Sequence, residues 1–137
     1  MAQAILHVVA YAVVEHQKLL TVRKQNTRKF MFPGGKFQPG ESAEAAIYRE
    51  VKEELSCEID SSTFQLLGEF VTAAANEANT QLVATVFQGG LLGTPVASSE
   101  IAELQWIPIL ADNYTLDLAP LLTDCVLPHL RQSLSSA

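Results

Sequence analysis

The sequence predicts an α/β fold, specifically an α/β/α sandwich in which a mixed β-sheet lies between helices. Strand patterns rich in Val, Ala and Ile occur in both halves of the chain, and an amphipathic helical pattern separates them. A second helical pattern follows the last strand pattern. Strands on both sides of one helix, followed by a terminal helix, are typical of a sheet that is covered on both faces.

The first quarter of the chain contains two predicted strands and a break. Residues 5–15 form a nearly continuous apolar run, which is typical of a central strand. Residues 18–23 are predicted to form a second strand after a short turn at residues 16–17. The Pro-Gly-Gly sequence at residues 33–35 then interrupts regular structure, because proline and glycine both favour turns.

The first predicted helix spans residues 42–55. Ser42 is a candidate N-cap, because a serine hydroxyl can accept a hydrogen bond from a free N–H group in the first turn. Every fourth residue along this segment is apolar, so the helix is expected to bury one ridge of side chains. The ridge consists of Ala43, Ile47, Val51 and Leu55.

Three further strands and a terminal helix are predicted in the second half of the chain. Residues 64–74 and 80–88 are expected to form a strand pair, and residues 104–109 the last strand. Residues 118–134 are predicted to form a helix with its apolar residues facing inward. Pro128 is expected to kink this helix or remove a hydrogen bond, because proline has no backbone N–H.

Length and composition predict one globular domain covering residues 1–137. A chain of 137 residues buries roughly two thirds of its unfolded surface, and 48% hydrophobic with 18% charged residues is ordinary for a globular protein. The longest nearly apolar run, residues 4–14, is too short to cross a bilayer as a helix, and no basic leader precedes it. Cys57 and Cys125 form no metal-binding pattern. We therefore expect a cytoplasmic monomer or homodimer that does not bind membranes.

Charge excludes one class of partner and indicates another. A formal net charge of −6 argues against binding to a long nucleic acid, which depends on neutralising phosphates. Most basic residues nevertheless lie between positions 18 and 36, where no acidic residue occurs: Lys18, Arg23, Lys24, Arg28, Lys29 and Lys36. Lys18, Arg28 and Lys29 are expected to be solvated. Arg23 or Lys24, at a strand end, and Lys36 are predicted to contact phosphate in a small-molecule substrate.

Three glutamates, Glu50, Glu53 and Glu54, are spaced so that they lie on one face of the first predicted helix. Like charges at this spacing destabilise a helix by about 0.2–0.5 kcal/mol per pair, so the cluster favours a bound cation. Mg²⁺ takes oxygen ligands and is usually held by one or two carboxylates together with substrate phosphates. The spacing therefore predicts a metal and phosphate site on this helix.

The same glutamates belong to a longer pattern at residues 35–57, which resembles the Nudix box, G-x5-E-x7-R-E-U-x-E-E-x-G-U, with U apolar. The matching polar and glycine positions are Gly35, Glu41, Arg49, Glu50, Glu53 and Glu54. Val51 and Cys57 occupy apolar positions, and Ser56 stands where the family has glycine. The residue just past a helix end often takes a left-handed conformation that favours glycine. Ser56 is therefore expected to affect the local turn more than the chemistry.

The resemblance implies the fold predicted above and a reaction in which water cleaves the pyrophosphate bond of a nucleoside diphosphate derivative. It implies Mg²⁺ as cofactor, with Mn²⁺ as an alternative. Gly35, Glu50 and Glu54 would belong to the metal site, and Glu53 would be a further ligand or a general base. Arg49 precedes Glu53 by four residues, so it is expected to orient that carboxylate by a charge-assisted hydrogen bond.

Carboxylates outside the helix are further candidates for the metal site or its support. By analogy with the family, Glu41 braces the loop or joins the metal site. Family members often supply another carboxylate from a later loop, and Glu100, six residues before Trp106, resembles that placement. Glu103 and Glu77 are competing candidates for the same role.

The residues that read the base are the least defined part of the site. Asn76 is a candidate hydrogen-bonding reader, and the candidates for stacking are Phe30, Phe32, Phe70 and Tyr114. The MutT branch that cleaves 8-oxo-dGTP reads the purine with an asparagine at the start of the terminal helix. Residues 115–120 contain no asparagine, and only Asp117 is a candidate substitute. The sequence therefore predicts cleavage of ordinary (d)NTPs to the monophosphate and pyrophosphate.

Three alternatives stay open. The first alternative is a catalytically inactive Nudix-fold domain that binds a nucleotide or a protein. Retention of Arg49 and the three helix glutamates argues against it. A hydrolase of ADP-ribose or nucleotide sugars would use the same box. An isomerase on the same fold would need a catalytic cysteine, and Cys57 is expected to be buried behind the helix.

Overall fold

The computed structural model describes residues 4–74 and 77–135 and confirms the predicted α/β class with a mixed sheet. The strands, in chain order, are β1 (Ala4–Ala12), β2 (Val14–Glu15), β3 (Lys18–Lys24), β4 (Gly34–Lys36), β5 (Glu58–Ile59), β6 (Gln65–Ala73), β7 (Thr80–Gln88), β8 (Leu91–Leu92) and β9 (Ile101–Pro108). The α-helices are α1 (Ala43–Leu55) and α2 (Leu127–Ser135), and a π-helical segment (Leu121–Val126) precedes α2.

The strands form one mixed sheet and two smaller antiparallel ones. In the largest sheet the order is β4-β1-β7-β6, in which β1 and β7 are parallel and the other pairs antiparallel. A three-stranded sheet has the order β2-β3-β9, and β5 pairs with β8. The predicted break at residues 33–35 is limited to a bend at Pro33, because Gly34 and Gly35 belong to β4 and pair with β1. This bend and the two glycines, called the glycine turn below, are held between the sheet and α1.

Strand β1 divides the core into two apolar clusters, because successive side chains of a strand point to opposite faces. Val9 and Tyr11 pack in the cluster that contains the buried ridge of α1. Ala10 and Ala12 pack in the cluster that contains the π-helical segment and α2. The sheet is therefore covered by helical structure on both faces, as the alternation of strands and helices predicts.

Helix α1 has the boundaries that its sequence signals predict. The Ser42 side chain accepts a hydrogen bond from the Ala45 N–H (3.1 Å) and caps the helix start. Ile47, Val51 and Leu55 are fully buried. The helix ends at Ser56, whose φ of 50° and ψ of 40° are left-handed. Ser56 thus adopts the conformation for which the family's glycine is suited.

The terminal helix differs from its prediction. It does not begin at residue 118, because the Phe30 N–H donates to the Asp117 carbonyl and the Ala119 N–H donates to the Phe30 carbonyl, which holds this stretch as a strand-like bridge. The π-helical segment then widens the helix immediately before Pro128, which lies in the first turn of α2. The widened turn accommodates a residue that lacks an N–H.

The first and last predicted strands also differ in extent. Strand β1 ends at Ala12, and only a two-residue strand, β2, follows it before the turn. Strand β9 begins three residues earlier than predicted, at Ile101. Among the described residues, no helix is long and apolar enough to cross a membrane.

Candidate active site

Glu54 is the most buried carboxylate on α1, with 2% of its surface exposed. Its Oε1 accepts a hydrogen bond from the Gly34 N–H (3.0 Å), whereas its buried Oε2 has no hydrogen-bond partner within the described chain. Burial raises the pKa of Glu54 to about 8, although the Gly34 N–H acts in the opposite direction. An unpartnered buried carboxylate oxygen is costly, so this arrangement favours a cation next to it.

Glu50, one turn earlier, is also buried, and it lies against the glycine turn. Burial raises the pKa of Glu50 above its ordinary value, despite the opposing effect of Arg49. A Cβ atom on Gly35 would collide with the Glu50 Oε2, so the carboxylate would have to shift. Glycine therefore lets the backbone approach this carboxylate in its present position. Gly34 is constrained more firmly, since a Cβ there would collide with the Val9 carbonyl oxygen, a backbone atom.

Arg49 holds several of these groups together. Its guanidinium donates to both oxygens of Glu41 (2.8 and 2.9 Å) and to the Glu50 Oε1 (2.6 Å). It also donates to the Lys36 carbonyl oxygen (3.1 Å). Its contact with the Glu53 Oε2 is the longest, at 3.5 Å. The predicted contact between Arg49 and Glu53 is therefore present, but Glu41 and Glu50 are the principal partners of Arg49.

Glu41 and Glu53 have different environments. The Glu41 Oε1 also accepts a hydrogen bond from the Gln38 N–H (2.9 Å), so Glu41 ties the loop before α1 to Arg49. The Arg49 hydrogen bond lowers the pKa of Glu41 to about 2. The Glu53 side chain is 51% exposed. Among Glu50, Glu53 and Glu54, Glu53 therefore has the most exposed carboxylate.

A cavity of about 680 Å³ opens beside the glycine turn, a size suited to a small-molecule ligand. Its polar lining includes Lys24, Gly34, Gly35, Lys36, Arg49, Glu50, Glu77 and Glu100. Its apolar lining comes from the sheet, from the loop before β4 and from the start of the π-helical segment, and includes Leu6, Val8, Phe32, Leu82 and Leu121. The cavity thus combines a charged wall with an apolar one.

Two ion pairs lie in the wall of this cavity. Lys24 Nζ is 3.4 Å from the Glu100 Oε1, and Lys36 Nζ is 3.6 Å from the Glu77 Oε1. The side chains of all four residues are substantially exposed, so the pairs are weak and open to exchange. Glu100 and Glu77 therefore remain as candidate carboxylates from later loops.

Of the two basic residues predicted as alternatives at this strand end, Arg23 does not line the cavity, and neither does Glu103, a competing candidate for the later carboxylate. The Arg23 Nε donates to the Glu103 Oε1 (3.2 Å), and the Arg23 Nη1 donates to the Thr27 carbonyl. The register of β3 against β9 shifts between Arg23 and Lys24, so that Lys24 pairs with Ile101 and its side chain reaches the cavity. The basic cavity residue at this strand end is therefore Lys24.

The four aromatic candidates for base stacking all belong to, or pack against, the apolar cluster that contains the π-helical segment. Asn76 lies outside the described residues. Tyr114 donates to the Pro108 carbonyl (2.6 Å), and Asp117 pairs with Lys29 (3.6 Å). Of the four aromatic candidates, only Phe32 lines the cavity. Reasoning from the sequence missed Leu6, Leu82 and Leu121, because an apolar residue on a strand or helix carries the same signal whether it lines a core or a cavity.

The carboxylates on α1 fit a divalent cation. Within the described residues, no three His, Cys, Asp or Glu side chains converge into a ready-made metal cage. Mg²⁺ does not require one, since it is commonly held by one or two carboxylates together with substrate phosphates. The unpartnered Oε2 of Glu54 and the desolvated carboxylate of Glu50 are the groups that a cation would stabilise.

The fold and the carboxylate helix place the chain among the hydrolases that cleave pyrophosphate bonds. A sequence profile of the NUDIX domain matches residues 5–120, and the chain belongs to the Nudix family. Members of this family act on nucleoside diphosphate derivatives and generally use divalent metal ions. This result confirms the family resemblance of residues 35–57.

Solved structures support the same fold. The MutT protein of Methanosarcina mazei Go1 is 22% identical, with a TM-score of 0.77 and coverage of 98% of each chain. The MutT NUDIX hydrolase of Burkholderia pseudomallei is 22% identical, with a TM-score of 0.75 and coverage of 92% of this chain and 98% of that one. The ORF135 protein of E. coli is 24% identical, with a TM-score of 0.70 and coverage of 97% and 92%. A comparison with curated protein sequences found no significant match.

Proposed function

We propose that the protein is a Mg²⁺-dependent hydrolase that cleaves a (d)NTP to the nucleoside monophosphate and pyrophosphate, with Mn²⁺ able to replace Mg²⁺. The observation that carries this proposal is the pair of buried carboxylates, Glu50 and Glu54, beside a glycine turn. The cavity at this turn also contains the ammonium groups of Lys24 and Lys36. The Glu50 carboxylate and the two ammonium groups therefore face one space, and Glu54 is hydrogen-bonded to Gly34, which lines the same space.

The residues of α1 have separate roles in this proposal. Glu50 and Glu54 would hold the cation, with the Gly35 backbone beside them, and a cation bound there would supply charge neutralisation for phosphate oxygens and a lowered pKa for a bound water. Arg49 keeps the Glu50 carboxylate in position while bound to Glu41. Glu53, the exposed carboxylate, is the general base or a further ligand.

The two lysines favour a polyphosphate substrate. Within the described part of the chain, each forms its ion pair with an exposed carboxylate, so a phosphate group can displace Glu100 from Lys24 and Glu77 from Lys36. Glu100 would be a further ligand for a cation at the cavity wall, because its exposed pair with Lys24 is open to exchange with a cation as well as with phosphate. The apolar wall is then available to the nucleoside, and base reading by Asn76 stays a prediction.

Replacing Glu100 by glutamine is expected to raise the Mg²⁺ concentration needed for half-maximal activity, because it removes a carboxylate from the cavity wall. Glu103→Gln is the matched control, since Glu103 lies on β9, three residues after Glu100, but its carboxylate bonds to Arg23. Titrating Mg²⁺ at saturating nucleotide measures both variants. If neither variant shifts the Mg²⁺ dependence, the later carboxylate is elsewhere, and Glu77→Gln is the next variant to measure.

The substrate assignment predicts efficient turnover of ordinary dNTPs and a preference for 8-oxo-dGTP over dGTP below about a hundredfold. A pocket without a dedicated hydrogen-bonding reader discriminates only weakly between such bases. Measuring kcat/KM for dGTP, 8-oxo-dGTP and ADP-ribose tests this expectation. A much larger preference for 8-oxo-dGTP would reveal a specific reader of the oxidised base. Efficient ADP-ribose cleavage with inert triphosphates would contradict the polyphosphate assignment.

A further inference from the structure

Ser56 is an unexpected residue at the end of α1, because its backbone is left-handed and a residue with a Cβ atom is strained there. Its side chain has a specific partner. The Ser56 Oγ lies 2.5 Å from the Oγ of Ser98, which is 42 residues later in the chain. The Ser98 Oγ also donates to the Val96 carbonyl oxygen (3.0 Å), so its single proton is already used. The Ser56 hydroxyl is therefore the donor in the contact between the two serines.

The segment that contains Ser98 is attached to the last turn of α1. The Val96 N–H donates to the Leu55 carbonyl (2.8 Å), and the Ser98 N–H donates to the Glu54 carbonyl (2.9 Å). Carbonyl groups at a helix C-terminus have no partner within the helix, so these bonds satisfy groups that otherwise need water. The contact between the two hydroxyls adds a side-chain attachment at the same point.

The attached segment leads directly to Glu100. Only Ser99, with a left-handed φ of 56°, separates Ser98 from Glu100. The Ile101 N–H donates to the Ser98 carbonyl (3.0 Å) and closes a tight turn around Glu100. The Gln25 N–H donates to the Glu100 carbonyl (2.8 Å), which fixes the far side of the turn. Movement of Ser98 must therefore move the Glu100 backbone, and with it a carboxylate in the cavity wall.

We propose that Ser56 is a positioning residue, whose hydroxyl holds Ser98 so that the following turn presents Glu100 to the cation and phosphate site. This inference rests on the proposed function, because it gives Glu100 a role at that site. Serine is more strained than glycine at this left-handed position, but its hydroxyl forms a hydrogen bond with Ser98 that glycine cannot form. The helix end that carries Glu54 and the loop that carries Glu100 are then held in one geometry.

The first test is direct binding of Mn²⁺ without substrate, measured by electron paramagnetic resonance. Ser56→Ala and Ser98→Ala are each expected to weaken Mn²⁺ binding and raise the half-activating Mg²⁺ concentration by about two- to tenfold, the range for loss of one hydrogen bond. The double variant should be no worse than either single variant. Ser133→Ala, which removes an exposed hydroxyl on α2, is the control and should match the wild type. Ser56→Gly should raise the melting temperature yet show the same weakened metal binding.

The second test repeats Ser56→Ala in a Glu100→Gln background, where its effect on Mn²⁺ binding should disappear. An equal effect in both backgrounds would show that Ser56 acts on α1 itself and would overturn the proposal. Unchanged Mn²⁺ binding in Ser56→Ala and Ser98→Ala would overturn it as well. These results can be distinguished from a failure of the proposed function. If the wild type turns over dNTPs and the serine variants bind Mn²⁺ normally, only the role of Ser56 is refuted. If the wild type cleaves no nucleotide, the binding measurements still decide whether Ser56 positions Glu100.

Discussion

Replacing Glu54 by glutamine is expected to reduce kcat/KM for a dNTP by at least about a hundredfold while the protein stays folded. Loss of a group that merely supports a metal ligand typically costs about 10- to 100-fold, so loss of a ligand's charge should cost more. Glutamine keeps the shape of the side chain and can still accept the hydrogen bond from the Gly34 N–H. It cannot supply the negative charge that a cation needs at the unpartnered Oε2.

A matched control for this variant is available on the same helix. Glu44 is an exposed glutamate in the first turn of α1, and Glu44→Gln should retain wild-type activity. Glu53→Gln is expected to be severe as well, since Glu53 is the proposed base or further ligand. Circular dichroism and melting temperatures would establish that each variant is folded. Near wild-type turnover by a folded Glu54→Gln protein would refute the assignment of α1 as the metal-binding helix.

The second large effect concerns the stability of the metal-free protein. Because the folded-state pKa of Glu54 is raised to about 8, the folded protein keeps a proton that the unfolded chain loses near pH 4.5. The stabilising contribution of this proton is fully present below pH 4.5 and is lost as the pH rises towards 8. The loss is expected to be on the order of a few kcal/mol. Adding Mg²⁺ should restore stability more at pH 8 than at pH 5.

Melting temperatures across pH 5 to 9, with EDTA and with Mg²⁺, measure this effect. The difference between the wild type and Glu54→Gln isolates Glu54, because other titrating groups contribute to both proteins. Glu41 does not interfere in this range, since its lowered pKa of about 2 confines its contribution to acid pH. If the melting temperatures of the wild type and Glu54→Gln change in the same way with pH in EDTA, the result would contradict a buried, unpartnered Glu54 carboxylate.

Local signals were sufficient to predict α1 and its surroundings. The cap at Ser42, the apolar ridge and the left-handed end at Ser56 all follow from residues within a few positions of one another. Strand β7 was likewise predicted with its observed bounds, Thr80–Gln88, from a run of apolar and β-branched residues. These elements are determined by short-range periodicity, which a single sequence displays directly.

Contacts between distant segments could not be predicted in the same way. The irregular register between Arg23 and Lys24 decides which side chain enters the cavity, and it depends on the pairing of β3 with a strand about 80 residues away. Arg49 prefers Glu41 to Glu53, because the loop before α1 folds back over the helix. The bond between Ser56 and Ser98 links residues with no shared motif. Helical spacing alone suggests only the partner that lies four residues away.

The most direct measurement is the identification of the products formed from dGTP with and without Mg²⁺, by ³¹P nuclear magnetic resonance. Mg²⁺-dependent release of dGMP and pyrophosphate in equal amounts, absent in Glu54→Gln, is the expected result. Release of dGDP and phosphate would contradict the proposed site of cleavage. Turnover that persists in EDTA, or that Glu54→Gln retains, would contradict a cation held by the carboxylates of α1.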